Sequence, residues 1–187
     1  GAQEREVHSS TTEKRKTAVT WDGVSFLTGW IDRRAGGQAL MGARGTPAGG
    51  GLDQATTLTL VGATESASTG WLTSVGQGSV LVYSTGSNKV WAVKVRQNGL
   101  VDTVSKTQLS LGNKGTPQGV AMLSTPYYGV GYREYASGWN GYVRMFDNKL
   151  KALGSGPLKL SPASYSSAPA LAPFGTTHFV GVWIDQN

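Results

Sequence analysis

Catalysis by side chains alone needs groups that can be paired, and the sequence offers few. Asp32, Glu134 and Asp185 each stand two residues after an aromatic that closes an apolar run. Two such acids facing one another could hydrolyse a glycosidic bond, one donating a proton while the other acts as base or nucleophile. An Asp so placed more ordinarily accepts hydrogen bonds from turn amides. The two histidines, His8 and His178, have no His or carboxylate partner at ligand spacing, and there is no Cys, so no metal site is expected. A nucleophile elbow G-x-S-x-G and a P-loop are both absent, which removes the serine hydrolases and the nucleotide hydrolases that use them. Ser84 to Trp91 approaches the S-x-D-x-G-x-T-W box of sialidase-type repeats, but the Asp is missing and the Gly displaced.

Binding chemistry is better represented. Tyr135, Trp139, Asn140 and Tyr142 fall together in a stretch with Gly138 and Gly141, where a planar aromatic and an amide could meet a sugar ring or a partner side chain. Arg33 and Arg34 occupy the corresponding connection about a hundred residues earlier and could add charged contacts to the same rim. The other Trp residues, Trp21, Trp30, Trp71, Trp91 and Trp183, lie in or at the end of apolar runs and read as core.

These residues are carried on a repeat. FLTGW-ID (from Phe26), VLVY-ST (from Val80), YGVGY-RE (from Tyr128) and FVGVW-ID (from Phe179) align on Trp30, Tyr83, Tyr132 and Trp183, spaced 53, 49 and 51 residues apart. Around each anchor the same short runs recur, bounded by Gly, Pro, Asn, Asp or Ser, as strands are. Strand a is TAVTW, TGWLT, QGVAML and PALA, and strand b is the aromatic-ended run. Strand c is ALMGAR, VWAVKV and YVRMF, each with a base near its end: Arg44, Lys94 or Arg144. Strand d is TLTL, TQLSL and LKLS. Asp22-Gly23 and Phe174-Gly175 mark the turn between a and b, and Gly99 to Asp102 the turn between c and d. Gly29, Gly129, Gly131 and Gly181 fall within strand b, where small residues allow another backbone to approach. No segment keeps the 3.6-residue period of a helix. The expectation is an all-β chain: a β-propeller of four-stranded antiparallel blades, with three full copies and a fourth that reaches only strand b. Glu4 to His8 reads as an orphan strand d that would close this split copy. The count leaves open a four-bladed ring or part of a larger ring completed by another chain.

The runs from Thr17 to Arg34 and from Pro169 to Asp185, with their strand, turn, aromatic and W-x-D-x-R order, resemble the propeller repeats of large secreted or surface-exposed bacterial proteins. The resemblance extends from Thr17 onward and implies a propeller fold, with a role that such repeats do not specify. Thr85 and Glu134 replace the Asp in the middle copies, and Trp71 interrupts the second strand a.

The expected organisation is an N-terminal arm over residues 1–16 followed by copies at 17–63, 64–112, 113–162 and 163–187. Charged residues make up only 15% of the 187, with 17 Lys+Arg against 11 Asp+Glu. Four of the bases, Arg5, Lys14, Arg15 and Lys16, sit in the arm, and no aromatic-basic cluster of a nucleic-acid reader occurs. A nucleic-acid partner is therefore disfavoured, and the charge suits solubility and weak attraction to anionic surfaces. No apolar stretch approaches the roughly 18 residues of a membrane helix, and the first sixteen residues lack the apolar core of a signal peptide. The functional expectation is a non-enzymatic binding or assembly propeller, extracellular or on the cell surface. It would use no cofactor and bind a protein or polysaccharide, as a homo-oligomer or with a second chain if the ring needs completing. The competing expectation is a carbohydrate-active propeller using Asp32, Glu134 or Asp185.

Overall fold

The computed structural model describes residues 14–34, 37–45, 58–74, 78–87, 89–110, 115–122, 127–135, 137–160, 165–175 and 178–185. Glu4 to His8, the expected closing strand, lies outside them. The described chain is all-β apart from one 3-10 turn. Four antiparallel sheets follow one another in chain order. Sheet 1 runs β1 (Lys14–Trp21), β2 (Phe26–Arg34), β3 (Gly37–Gly45), β4 (Leu58–Val61); sheet 2 runs β5 (Thr69–Ser74), β6 (Gly78–Ser84), β7 (Val90–Arg96), β8 (Val101–Gln108). Sheet 3 is β9 (Gly115–Met122), β10 (Tyr128–Tyr135), β11 (Trp139–Phe146), β12 (Leu158–Lys159), and sheet 4 is the hairpin of β13 (Ala170–Phe174) and β14 (His178–Val182).

Each of the first three sheets is a meander in the order a, b, c, d, and sheet 4 contains strands a and b. In each of the three the strand-b aromatic pairs with a large strand-c residue: Trp30 opposite Met41, Tyr83 opposite Trp91, Tyr132 opposite Tyr142. Because side chains alternate across a strand, this register divides each sheet into two faces. One face of sheet 2, with Leu81, Tyr83, Val93 and Val95, packs on Leu27, Ile31, Leu40 and Leu60 of sheet 1. Its opposite face, with Val80, Val82, Val90 and Ala92, packs on Tyr128, Val130, Tyr132 and Phe146 of sheet 3. Sheet 4 continues the series, β13 lying against β9. Most of the hydrophobic driving force thus lies between sheets.

The strand-b glycines make these approaches close. A Cβ at Gly131 would stand 2.4 Å from the carbonyl oxygen of Pro169, the residue before β13, and one at Gly29 would meet Leu72 Cδ1 at 3.1 Å. Among the described residues the series is not closed into a ring. On the face of the β13–β14 hairpin turned away from sheet 3, Phe174, Val180, Val182 and Ile184 are exposed, as are Val19, Trp21 and Phe26 on the outer side of sheet 1.

Several details differ from the sequence expectations. Strand β1 starts at Lys14 rather than Thr17, so the basic triplet belongs to the sheet, with a register shift between Arg15 and Ala18. The turn after Trp21 has four residues, not the two of a tight Asp-Gly hairpin. Asp22 Oδ1 accepts from the Val24 and Ser25 amides at 3.0 and 2.7 Å, and Gly23 takes φ 92°. Strand d of sheet 2 begins at Val101, six residues early, because Gly99 at φ 83° lets its amide reach the Arg96 carbonyl at 2.7 Å and closes the hairpin at once. Trp71 lies within β5 opposite Val82 and does not interrupt it. The strand-c bases are not equivalent: Arg44 and Lys94 sit three residues past the aromatic's partner, whereas Arg144 sits two past it and so lies on the opposite face.

Candidate functional site

The b–c hairpins of successive sheets form equivalent ends, and two of them hold the chemistry. In sheet 3 the expected loop from Tyr135 to Tyr142 is mostly strand. Tyr135 and Trp139 are the last pair of the hairpin, and Asn140 and Tyr142 are inside β11. Asn140 is 3% exposed; its Nδ2 donates to the Gly138 carbonyl at 2.9 Å, closing the turn, so the residue shapes the hairpin from within. Tyr142 is half-buried and stacked on Tyr132, with ring centroids 5.7 Å apart. Tyr135 is exposed, and its ring meets Trp139 edge to face at 5.6 Å. Arg133 stands over the Trp139 ring at 4.4 Å, a cation–π contact that fixes the ring plane. Trp139 also pairs by its backbone with Tyr165, another exposed aromatic that no sequence pattern pointed to. Tyr135, Trp139 and Tyr165 therefore form an aromatic edge at one corner of sheet 3. Arg33 is exposed near the end of β2; Arg34 closes that strand, and its side chain lies outside the described residues.

The corresponding end of sheet 2 is a cavity of about 590 Å³ lined by Thr64, Glu65, Ser66, Thr85, Gly86, Ser87, Trp91 and Lys106. After β4 the chain makes the 3-10 turn Ala63–Glu65 and leaves it through Ser66 at φ 50°, ψ 60°, which brings Glu65 across to the next sheet. Glu65 Oε2 accepts from Lys106 Nζ at 2.6 Å and from the Tyr83 hydroxyl at 3.1 Å. The Lys106 ammonium lies 4.8 Å from the centre of the Trp91 ring. Burial, reinforced by the Glu65 carboxylate, raises the Tyr83 hydroxyl far above the ordinary tyrosine range, so it stays a proton donor. The mouth is lined with hydroxyls, Thr85 Oγ1 and Ser87 Oγ being 2.8 Å apart. Glu65 and Lys106 are 41 residues apart and meet only because β8 lies beside β7 under the turn from sheet 1, so no local motif announces them. Ser84 to Trp91, the near-match to the sialidase-type box, supplies one wall.

The three carboxylates considered for glycoside hydrolysis are spread over separate sheets. Asp32 and Glu134 are buried in β2 and β10, and Asp185 is exposed in a bridge with Ser166 after β14. None of them lines the cavity. Among the described residues no group of three or more His, Cys, Asp or Glu could hold a metal ion, and no helix is long and apolar enough to cross a membrane. No known family model matches the chain, and no curated protein matches it either.

Proposed function

We propose that the four sheets are blades of a β-propeller and that the chain is a non-enzymatic binding or assembly module acting outside the cell or on its surface. The repeated meander, the successive packing of one sheet on the next and the absence of a catalytic constellation in the sequence support this reading. Its ligand is met at the b–c ends, by the cavity of sheet 2 and the aromatic edge of sheet 3.

The observation that carries it is the cavity's make-up. Four hydroxyl side chains, a carboxylate and an ammonium are arranged around a half-buried Trp. Such a set can both donate to and accept from a ligand rich in hydroxyls, which favours a glycan over an apolar molecule. The Glu65–Lys106 pair leaves the site nearly neutral, so recognition rests on directional hydrogen bonds rather than on long-range charge. Screening the protein on an array of neutral and acidic glycans, beside a Glu65→Ala variant, tests the reading. Binding by the native chain that Glu65→Ala loses supports it; binding that the variant keeps assigns the ligand elsewhere.

A further inference from the structure

The strand-c bases single out a second site, at the opposite end of the sheets. Arg44 of sheet 1 and Lys94 of sheet 2 occupy the same register position. Arg44 is satisfied within its own sheet: its guanidinium lies 3.3 Å from Asp22 Oδ2 and donates to the Ser25 hydroxyl at 3.0 Å. Counting back from the strand-b aromatics, the positions of Asp22 and Ser25 are Val75 and Gly78 in the second repeat. The base is kept, while both of its acceptors are replaced by residues that cannot accept through a side chain. Among the described residues no side chain or carbonyl bonds the half-buried Lys94 ammonium.

Lys94 instead faces a cavity of about 250 Å³ between sheets 2 and 3, lined also by Gly78, Arg96, Asp102, Tyr128 and Asn148. Asp102, the cross-strand neighbour of Lys94, is directed to Arg96, with Oδ1 3.8 Å from the guanidinium. Tyr128 is 4% exposed and its hydroxyl likewise has no hydrogen-bond partner among the described residues. The nearby Asp147 is engaged elsewhere, accepting from the Lys149 and Lys151 amides at 2.8 and 2.9 Å. The cavity thus brings together an unpaired ammonium, an unpaired phenolic donor and the side-chain amide of Asn148, with the Arg96 guanidinium at its edge. The one carboxylate of the lining, Asp102, is turned to Arg96, which leaves the Lys94 ammonium and the Tyr128 hydroxyl without an anionic acceptor.

We propose that this cavity binds an oxyanion, a carboxylate or sulfate group, held by Lys94 and Tyr128 in the place that the Asp22 carboxylate fills for Arg44. Two cations against one lining carboxylate give the mouth the right sign, and Lys94 can pack its methylene stem along Val80 while its head meets the ligand. The site is independent of the glycan cavity at the b–c ends.

The test is a titration of the full chain with sodium sulfate and with sodium glucuronate at constant ionic strength, followed by amide chemical shifts. Saturable shifts at Gly78, Val95, Arg96 and Tyr128 are expected. Lys94→Met keeps the stem and should weaken binding about tenfold or more, the loss of one charge-assisted hydrogen bond. Tyr128→Phe removes only a hydroxyl and should weaken it severalfold; Lys159→Met, on an exposed strand of sheet 3, should change nothing. Absence of saturable shifts with both anions, or undiminished binding in both Lys94→Met and Tyr128→Phe, would overturn the proposal.

Discussion

Gly131→Ala is the sharpest test of how the sheets are held together. Gly131 lies in β10 opposite Val143 and Gly119, in ordinary extended backbone, so Ala fits its conformation and in isolation would gain about 0.5–1 kcal/mol from the lost flexibility of Gly. The added methyl, however, would lie 2.4 Å from the Pro169 carbonyl oxygen and 2.8 Å from Pro169 Cγ. A real Cβ essentially never comes within 3.0 Å of such an atom, so the backbones of sheets 3 and 4 must separate by at least the difference, 3.0 − 2.4 = 0.6 Å. A carbonyl cannot rotate aside as a side-chain tip can. The cost falls in the upper part of the roughly 1–3 kcal/mol typical of overpacking, leaving a net loss of about 1–2 kcal/mol after the glycine term, or roughly 2–8 °C in Tm for a chain of this length. Gly129→Ala, two residues earlier in β10, is the matched control: its Cβ would meet Leu171 Cδ1, Met145 Sδ and Phe179 Cδ1 at ordinary contact distances of 3.5, 3.5 and 3.6 Å, and should cost less. Thermal unfolding followed by circular dichroism gives the net loss, and hydrogen exchange locates it. Protection should drop first at 170–174 and 178–182, with β6 and β7 unchanged. A Gly131→Ala protein as stable as the native chain, with sheet 4 still protected, would refute the packing argument.

Other perturbations separate the remaining elements. Burial raises the Asp22 carboxyl, but amide donation from Ser25 and Val24, the Ser25 hydroxyl and Arg44 outweigh it and hold it below the usual aspartate range. A depressed folded value adds stability above the ordinary value, and that stability is lost as pH falls through the folded value. Stability measured against pH should therefore decline below about pH 4, and less steeply in Asp22→Asn. Phe146, fully buried between sheets 2 and 3, should cost about 3–5 kcal/mol on truncation to Ala, read by urea denaturation. Lys106→Met removes the partly exposed partner of Glu65 and should cost no more than about 1 kcal/mol, so any large loss of glycan binding in it reports on the site and not on folding.

The fold was legible because its signal is local and repeated. Aromatic-ended runs at Trp30, Tyr83 and Tyr132 fixed which residues form strand b, and the order a, b, c, d followed from turn residues between them. Boundaries slipped where a turn depends on side-chain acceptors or backbone sign rather than on composition, as at Asp22 to Ser25 and at Gly99. The site was legible only in part. Trp139 and Tyr135 stood out by their polar, Gly-rich surroundings, and they pair at the hairpin end, Tyr135 exposed and Trp139 half-buried. Asn140 looked like a surface amide, yet strand register turns it inward. Glu65 and Lys106 gave no sign, since each is an ordinary charged residue until the turn after β4 and the edge of sheet 2 meet. Lys94 was visible as one of three strand-c bases, but its difference from Arg44 rests on what its neighbours lack, which only the aligned register shows.

The binding role proposed for the b–c ends is decided by quantitative glycan binding to the native chain and to Trp139→Ala and Glu65→Ala. Trp139 is half-exposed at a hairpin end, so its truncation should leave the fold intact while removing a stacking surface worth about tenfold or more in affinity. A glycan bound by the native protein should be lost or weakened at least tenfold in both variants, each with native circular dichroism. A bound glycan whose affinity is the same in all three proteins would contradict it.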